Sequence, residues 1–299
     1  MTSSRKNLSP SANLTSKSRR REGAAFEAAT ATKTGSSGRK AATPAAEARL
    51  RLVVETAIFQ TVLETSVGDR KRPDELKLKM LLIGQDGPAE HVRWALPGDE
   101  LRSCEDLSQA ADRVAVEASG LECRRLEQLR TYLTPEDEQG RRLASCVHLV
   151  LTGLAVSDGP VGHPRAVWFE AERNMEGFWR LSRDCTKVDL KPPTLGKWAG
   201  RLEESAAAAL EKLELEALRG WPIFELMPEM FTVGQLQSIQ ELILGRRLLG
   251  SAFRRKVERM LSPTGEYVRD RRFRPSQLFR HDPDWLISPQ AVAEALERR

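Results

Sequence analysis

A chain of 299 residues with 40% hydrophobic content and 30% charged residues can build two modest cores once its low-complexity start is set aside. It has no run of eighteen apolar residues, and its start is basic and serine-rich without the apolar centre of a secretory signal, so neither a helical membrane protein nor a secreted one is expected, and a cytoplasmic location is. Its net charge of +5 divides into +7 over residues 1–49, −8 over 50–245, +8 over 246–280 and −2 over 281–299, a compact basic module after an acidic middle, which suits a polyanion partner and not an enzyme of small neutral substrates.

Residues 1–49 are rich in Ser, Thr, Ala, Gly, Lys and Arg and nearly free of large apolar side chains, so burial cannot offset the entropy of ordering them. A disordered basic tail is expected there, its Arg19-Arg20-Arg21 and Arg39-Lys40 clusters able to add sequence-independent attraction to DNA. From residue 50 the pattern becomes strand-like: the runs at 52–63, 76–84 and 144–156 are enriched in branched residues and bounded by charged or Gly/Pro-containing stretches. Between them Ser108–Ser119 reads as a helix with Ala111, Val114, Ala115 and Ala118 on one side, Arg113 and Glu117 four apart, and Gly120 as its stop. The strands continue to about 165–169, and an amphipathic connector helix follows over Ala199–Ala217. Strands around a loop-helix unit predict an α+β domain over 50–198, with the connector at 199–220. The four cysteines, Cys104, Cys123, Cys146 and Cys185, have no CxxC or CxH pairing, which leaves buried free thiols as the expectation and no readable metal site.

In the C-terminal part, 221–299, Thr232 and Gln235 have capping-box spacing for a helix VGQLQSIQELIL that Gly245 ends. A second helix begins at Ser251, with Phe253, Val257 and Leu261 on its core side and Arg254, Arg255, Lys256 and Arg259 on the others. A turn at Thr264-Gly265, a strand at Tyr267-Val268, a tip at Arg269–Arg272 and a return through Arg274–Arg280 make a hairpin. Two helices joined by a short turn, the second basic, followed by a cation-tipped hairpin, read as a winged helix-turn-helix. Ser251, Arg254, Arg255, Lys256 and Arg259 on the helix and Arg271, Arg272 and Arg274 on the wing are the DNA-binding candidates.

The loop-helix unit resembles the Nudix box. Trp94-Ala95-Leu96-Pro97 leads into Gly98, Asp99 stands where a second Gly is customary, Glu105 follows, and after seven intervening residues come Arg113, Glu117 and Gly120 in box register. In enzymes with this box, the Glu after the Arg and the adjacent Glu pair present carboxylates to Mg²⁺ or Mn²⁺; here Val114 and Ala118 occupy two of those three positions and only Glu117 is kept. The resemblance therefore implies the fold, a Nudix-like α/β/α sandwich, and speaks against hydrolysis. A weak pyrophosphohydrolase using Glu105, Glu117 and Glu100, and a protein-interaction adaptor, are the competing readings.

A Nudix-like domain followed by a winged helix resembles the Nudix-related transcriptional regulators of NAD metabolism, the NrtR family with its NadQ-type members. The most specific stretch is FELMPEMFTVGQLQSIQELILGRRL, then FRRK and RPSQLFRHDP; Phe273 departs from the Gly that many members have. The family implies a homodimer on a palindromic double-stranded operator, repressing NAD synthesis or salvage genes, with ADP-ribose, ATP or NAD as effector and no required cofactor. On the same resemblance, Arg93, Trp94, Arg142 and Trp168 are candidates for phosphate contact and stacking, and the two Trp residues either line the cleft or fill the core.

Overall fold

The three long apolar runs form the centre of one mixed sheet in the computed structural model, which describes residues 49–64, 75–85, 92–135, 140–155, 161–190, 201–219, 223–268 and 275–284. The basic tail expected over 1–49, apart from Arg49, and the wing residues Arg271, Arg272 and Arg274 lie outside the described residues. The strands are β1 (Arg49–Glu64), β2 (Glu75–Gln85), β3 (Arg93–Ala95), β4 (Gly98–Glu100), β5 (Arg125–Leu133), β6 (Arg141–Ala155), β7 (Ala166–Arg173), β8 (Trp179–Arg183) and β9 (Thr186–Asp189). Their order is β5-β6-β1-β2-β7-β8-β9, with β3 on β2 and β4 on β1. β1 and β6 run parallel from Arg49↔Arg141 to Val62↔Ala155, and the other pairings are antiparallel.

Both faces of the sheet are covered, which is why β1 reads as a continuous apolar run and not as an alternation. Val54 and Ile58 face helix α1 (Leu107–Ser119), packing in the clusters of Ala110, Ala111, Ala115 and Ala118. Ala57 and Phe59 face the other way, into a core shared with Leu78, Met80, Leu210 and Leu213. There lies α2 (Arg201–Arg219), whose Ala206, Ala209, Leu210, Leu213 and Ala217 form the buried stripe. Helix α1 starts at a reciprocal capping box, Asp106 accepting from the Gln109 N–H at 2.8 Å and Gln109 from the Asp106 N–H at 2.9 Å, and ends at Gly120 with φ 69°. Strand β5, with β8 and β9, was not among the expected strands; of β5 only Tyr132 is buried.

The core of the α2 face continues without interruption into the C-terminal module, where Leu236, Ile239, Ile243, Phe253 and Val257 join it. Helix α3 (Val233–Leu244) has the expected capping box, the Thr232 hydroxyl accepting from the Gln235 N–H at 3.1 Å, and ends at Gly245 with φ 62°. Helix α4 (Gly250–Val257) is shorter than its apolar spacing suggests. Residues 258–260 tighten into a 3₁₀ turn and Leu261 opens β10 (Leu261–Val268), so Arg259 is not on the helix. β10 pairs antiparallel with β11 (Ser276–His281). Thr264-Gly265, expected as a turn ahead of a strand at Tyr267-Val268, is an irregularity within β10, where the register shifts between Pro263 and Tyr267 and Gly265 adopts φ 79°. Phe231 and Phe279 exchange backbone hydrogen bonds of 3.0 and 2.8 Å, adding a one-residue rung to the hairpin. No described helix is long and apolar enough to cross a membrane. The cysteines are free, but Cys104 and Cys185 are exposed, contrary to the expectation of buried thiols, while Cys146 is buried. The half-buried Cys123 thiol is pushed up to about 12 by burial and then by Asp112 beside it, so it is unreactive.

Candidate functional site

The box residues meet at the N-terminal half of α1. Arg113 is held in a fork by Glu105, its Nε and Nη2 donating at 3.0 and 2.8 Å, while Nη1 reaches Asp99 at 2.8 Å and Glu117 at 3.5 Å. The Arg113 hydrogen bonds and the Arg102 backbone N–H hold the Glu105 carboxyl at about 2, and the same pairing raises Arg113 further above its usual range. Gly98 packs closely on β1: a Cβ there would lie 3.0 Å from Glu55 Cγ and 3.2 Å from the Val54 carbonyl oxygen, so a larger residue would push β4 or the Glu55 side chain aside. Gly120 closes the helix in the left-handed region. Val114 and Ala118, at positions where the enzymes' box has carboxylates, are 4% and 5% exposed and pack inward, so only Glu117 projects outward. Among the described residues no group of three or more His, Cys, Asp or Glu side chains is placed to hold a metal ion, and the box residues do not fit a Mg²⁺ or Mn²⁺ centre.

Beside the box, between the sheet and the start of α2, is a cleft of about 530 Å³ lined by Glu55, Arg93, Trp94, Gly98, Val188, Leu202 and Glu203 among others. Trp94 is half-buried, and its ring meets Phe169 edge-on at 4.8 Å, which fixes its orientation. Arg93 is exposed at the rim. On the floor, the buried Glu55 carboxylate accepts from the Ser145 hydroxyl. Sequence reasoning missed this pair; the only signal was a Glu inside the apolar run LVVETAIF. The other two effector candidates are elsewhere. Trp168 is 2% exposed, packed under α1 with Ile58, Leu81 and Val150, so it fills the core. Arg142 donates to the Thr134 carbonyl at 3.2 Å and ties the β5–β6 turn.

On the C-terminal module, Ser251, Arg254 and Arg255 are all exposed on one side of α4, opposite the buried Phe253 and Val257. Their i, i+3, i+4 spacing makes a single cationic stripe. Lys256 is turned away and lines a notch of about 220 Å³ with Ala217, Leu244 and Phe253, and Arg259 is exposed on the following 3₁₀ turn. Arg246 and Arg247, exposed in the turn between α3 and α4, and Arg280 on β11 add cations that sequence reasoning did not single out. The module is tied to the sheet by the Thr61 hydroxyl donating to the Leu226 carbonyl at 2.6 Å, by Arg124 on the Met227 carbonyl, and to α2 by the Gln240 amide on the Ala217 carbonyl at 2.9 Å.

Residues 223–281 match the model of the NrtR DNA-binding winged helix domain. A curated relative, the ADPR responsive transcriptional repressor NtrR of Acinetobacter baylyi, is 26% identical over 210 residues, which are 69% of this chain and 77% of that protein. The fold superimposes on the crystal structure of Shewanella oneidensis NrtR complexed with a 27mer DNA with a TM-score of 0.51 and 23% identity, covering 78% of this chain and 94% of that one. A MutT/nudix family protein of Enterococcus faecalis gives a TM-score of 0.59 at 20% identity, covering 81% of this chain and 95% of that one. The chain is thus a Nudix-like domain followed by a winged helix, similar over most of its length to the NrtR regulators and carrying their DNA-binding winged helix domain at residues 223–281.

Proposed function

We propose that this protein is a cytoplasmic transcriptional repressor of genes of NAD biosynthesis or salvage, a homodimer on a palindromic operator, that senses an adenine nucleotide such as ADP-ribose, ATP or NAD without hydrolysing it. The observation that carries the reading is the exposed Ser251–Arg254–Arg255 stripe on α4 within a winged helix of the NrtR type. The name of the Acinetobacter relative supports ADP-ribose first. In this reading Arg254 and Arg255 enter the major groove, Arg271, Arg272 and Arg274 of the wing grip the backbone, and Arg93 and Trp94 receive the nucleotide's phosphate and a ring in the cleft.

Helix α2 joins the two sites. Its Leu202 and Glu203 line the cleft, and its Ala217 carbonyl is bound by Gln240 of α3. A nucleotide that binds one setting of α2 better than another changes the placement of the recognition helices. Half-sites one turn apart, roughly 34 Å, make a dimer sensitive to small rotations.

A gel-shift titration with DNA upstream of this gene and of NAD-pathway genes, repeated with ADP-ribose, ATP and NAD, tests the reading. A specific shift that weakens steeply with salt, and that one nucleotide alters while remaining intact, is expected. No specific shift, together with Mg²⁺- or Mn²⁺-dependent consumption of ADP-ribose that Glu117→Gln abolishes, would establish the hydrolase instead. The geometry favours the repressor, since Glu105 is committed to Arg113 and Glu100 to Arg51.

A further inference from the structure

The box carboxylates that remain are bridged by guanidinium groups. Arg102 Nη2 is 3.6 Å from Asp99 Oδ2 and 3.6 Å from Glu117 Oε1, and Arg113 Nη1 contacts the same two carboxylates at 2.8 and 3.5 Å. Asp99 and Glu117 come from different elements, β4 and α1, so the two arginines hold together the carboxylates of the box other than Glu105, which faces Arg113, and Glu100, which faces Arg51. Arg102 is placed by its backbone: its N–H donates to Glu105 Oε1 at 2.8 Å, and the neighbouring Leu101 N–H donates to the Leu52 carbonyl at 3.1 Å. Its side chain is more than half exposed, with donors directed at the carboxylates and no part in the core.

We propose that Arg102 is the resident substitute for the divalent cation of the Nudix box: a fixed monovalent charge that bridges Asp99 and Glu117 and closes this site to metal. The charges favour it. Asp99, Glu105 and Glu117 against Arg102 and Arg113 leave a net charge of about −1 if all are ionised, and an incoming Mg²⁺ or Mn²⁺ would have to displace a guanidinium already paired with both of its prospective ligands. The box is therefore changed in two complementary ways: two carboxylate positions turned apolar and buried at Val114 and Ala118, and the remaining outward carboxylate matched with a built-in cation. Removing Arg102 takes the group to a net charge of about −2 and leaves Asp99 and Glu117 facing Arg113 alone, at 2.8 and 3.5 Å, so that a divalent ion has one guanidinium to displace instead of two.

Mn²⁺ titration of the full chain, followed by calorimetry and by loss of the free-Mn²⁺ electron-spin signal, tests this without reference to DNA or nucleotide. The wild type is expected to bind Mn²⁺ no more tightly than about millimolar, and Arg102→Ala and Arg102→Gln to bind it at least about tenfold more tightly than that limit. Arg102→Lys, which keeps the charge, stays closed, and Asp99→Asn in the Arg102→Ala background abolishes the gained binding. Wild-type binding at the same affinity as Arg102→Ala, or no binding by either Arg102→Ala or Arg102→Gln, would overturn the proposal. Because Arg102 lies outside the core, an unchanged melting temperature in EDTA is expected for all three variants and verifies that they are folded.

Discussion

Glu105 collects three hydrogen bonds at one carboxylate, from Arg113 Nε and Nη2 and from the Arg102 backbone N–H. Every donor favours the ionised form, which lowers the carboxyl from 4.5 to about 2. A depressed acid binds fewer protons in the folded protein than in the unfolded one, so its contribution to stability is present above about pH 4.5 and is lost as the pH falls toward 2. Glu105→Gln should therefore destabilise the protein at pH 7 and flatten the acid limb of its stability curve between those two values. Urea unfolding at a series of pH values measures this; parallel acid limbs for variant and wild type would show that the Arg113 fork contributes nothing to folding. His148 acts in an earlier window. It is 1% exposed with no partner at Nδ1, and burial lowers its pKa, so its neutral form suits the fold and stability begins to fall as the pH drops through 6.5.

At the scale of elements, reciprocal capping boxes start helices α1 and α3. The Thr232 hydroxyl satisfies the Gln235 N–H at the start of α3, and Thr232→Ala should cost about 1 kcal/mol, read as a lower melting temperature. A Thr232→Ser stability within a few tenths of a kcal/mol of wild type would confirm that the hydroxyl and not the methyl is responsible. These caps were legible because their chemistry is local: Thr232 with Gln235, and Gly120 and Gly245 at left-handed stops. What was not legible depends on partners distant in sequence. Strand β5, RLEQLRTYL, carries Arg125 and Glu127, which look like surface charges until α2 arrives with Glu216 and Lys212. Their network supplies the pairing that an edge strand of mixed charge needs. The end of α4 was misread because Leu261 satisfies the helical spacing equally well as the first residue of β10, where it pairs with His281 and is 7% exposed. Trp168 was ambiguous for the same reason: only the register Leu81↔Trp168 decides which face of the sheet it occupies. The cleft depends on register too, since Glu55 and Ser145 meet only when β1 and β6 lie side by side.

Across the whole molecule, the Nudix-like domain and the winged helix share one core, and in the proposed function ligand information has to travel through it. Arg173 stands at the junction. Its Nη2 pairs with Glu214 of α2 at 2.7 Å, its Nη1 donates to the Gly177 carbonyl at 2.8 Å, and its guanidinium lies 4.3 Å from the centre of the Trp179 ring. On its other side is Gly245, the end of α3, where a Cβ would fall 3.1 Å from Arg173 Nε. One side chain thus touches the sheet and α2 and borders the turn that leads to α4, without itself lining the cleft of Arg93 and Trp94 or forming part of the Ser251–Arg254–Arg255 stripe. Arg173→Ala removes a contact whose geometry changes whenever α2 moves relative to α3, and leaves Arg254 and Arg255 untouched. DNA affinity without effector should stay within about threefold of wild type, because the charges that neutralise phosphate remain. The ratio of affinities with and without ADP-ribose, which in allosteric proteins is typically about 5–150-fold, should shrink toward one. Gel-shift titrations with and without ADP-ribose at fixed salt measure both quantities. A lost response with intact nucleotide binding by calorimetry locates the coupling in the α2–α3 junction, whereas an unchanged ratio would mean that the signal bypasses Arg173 and passes through Gln240 and the shared apolar core instead.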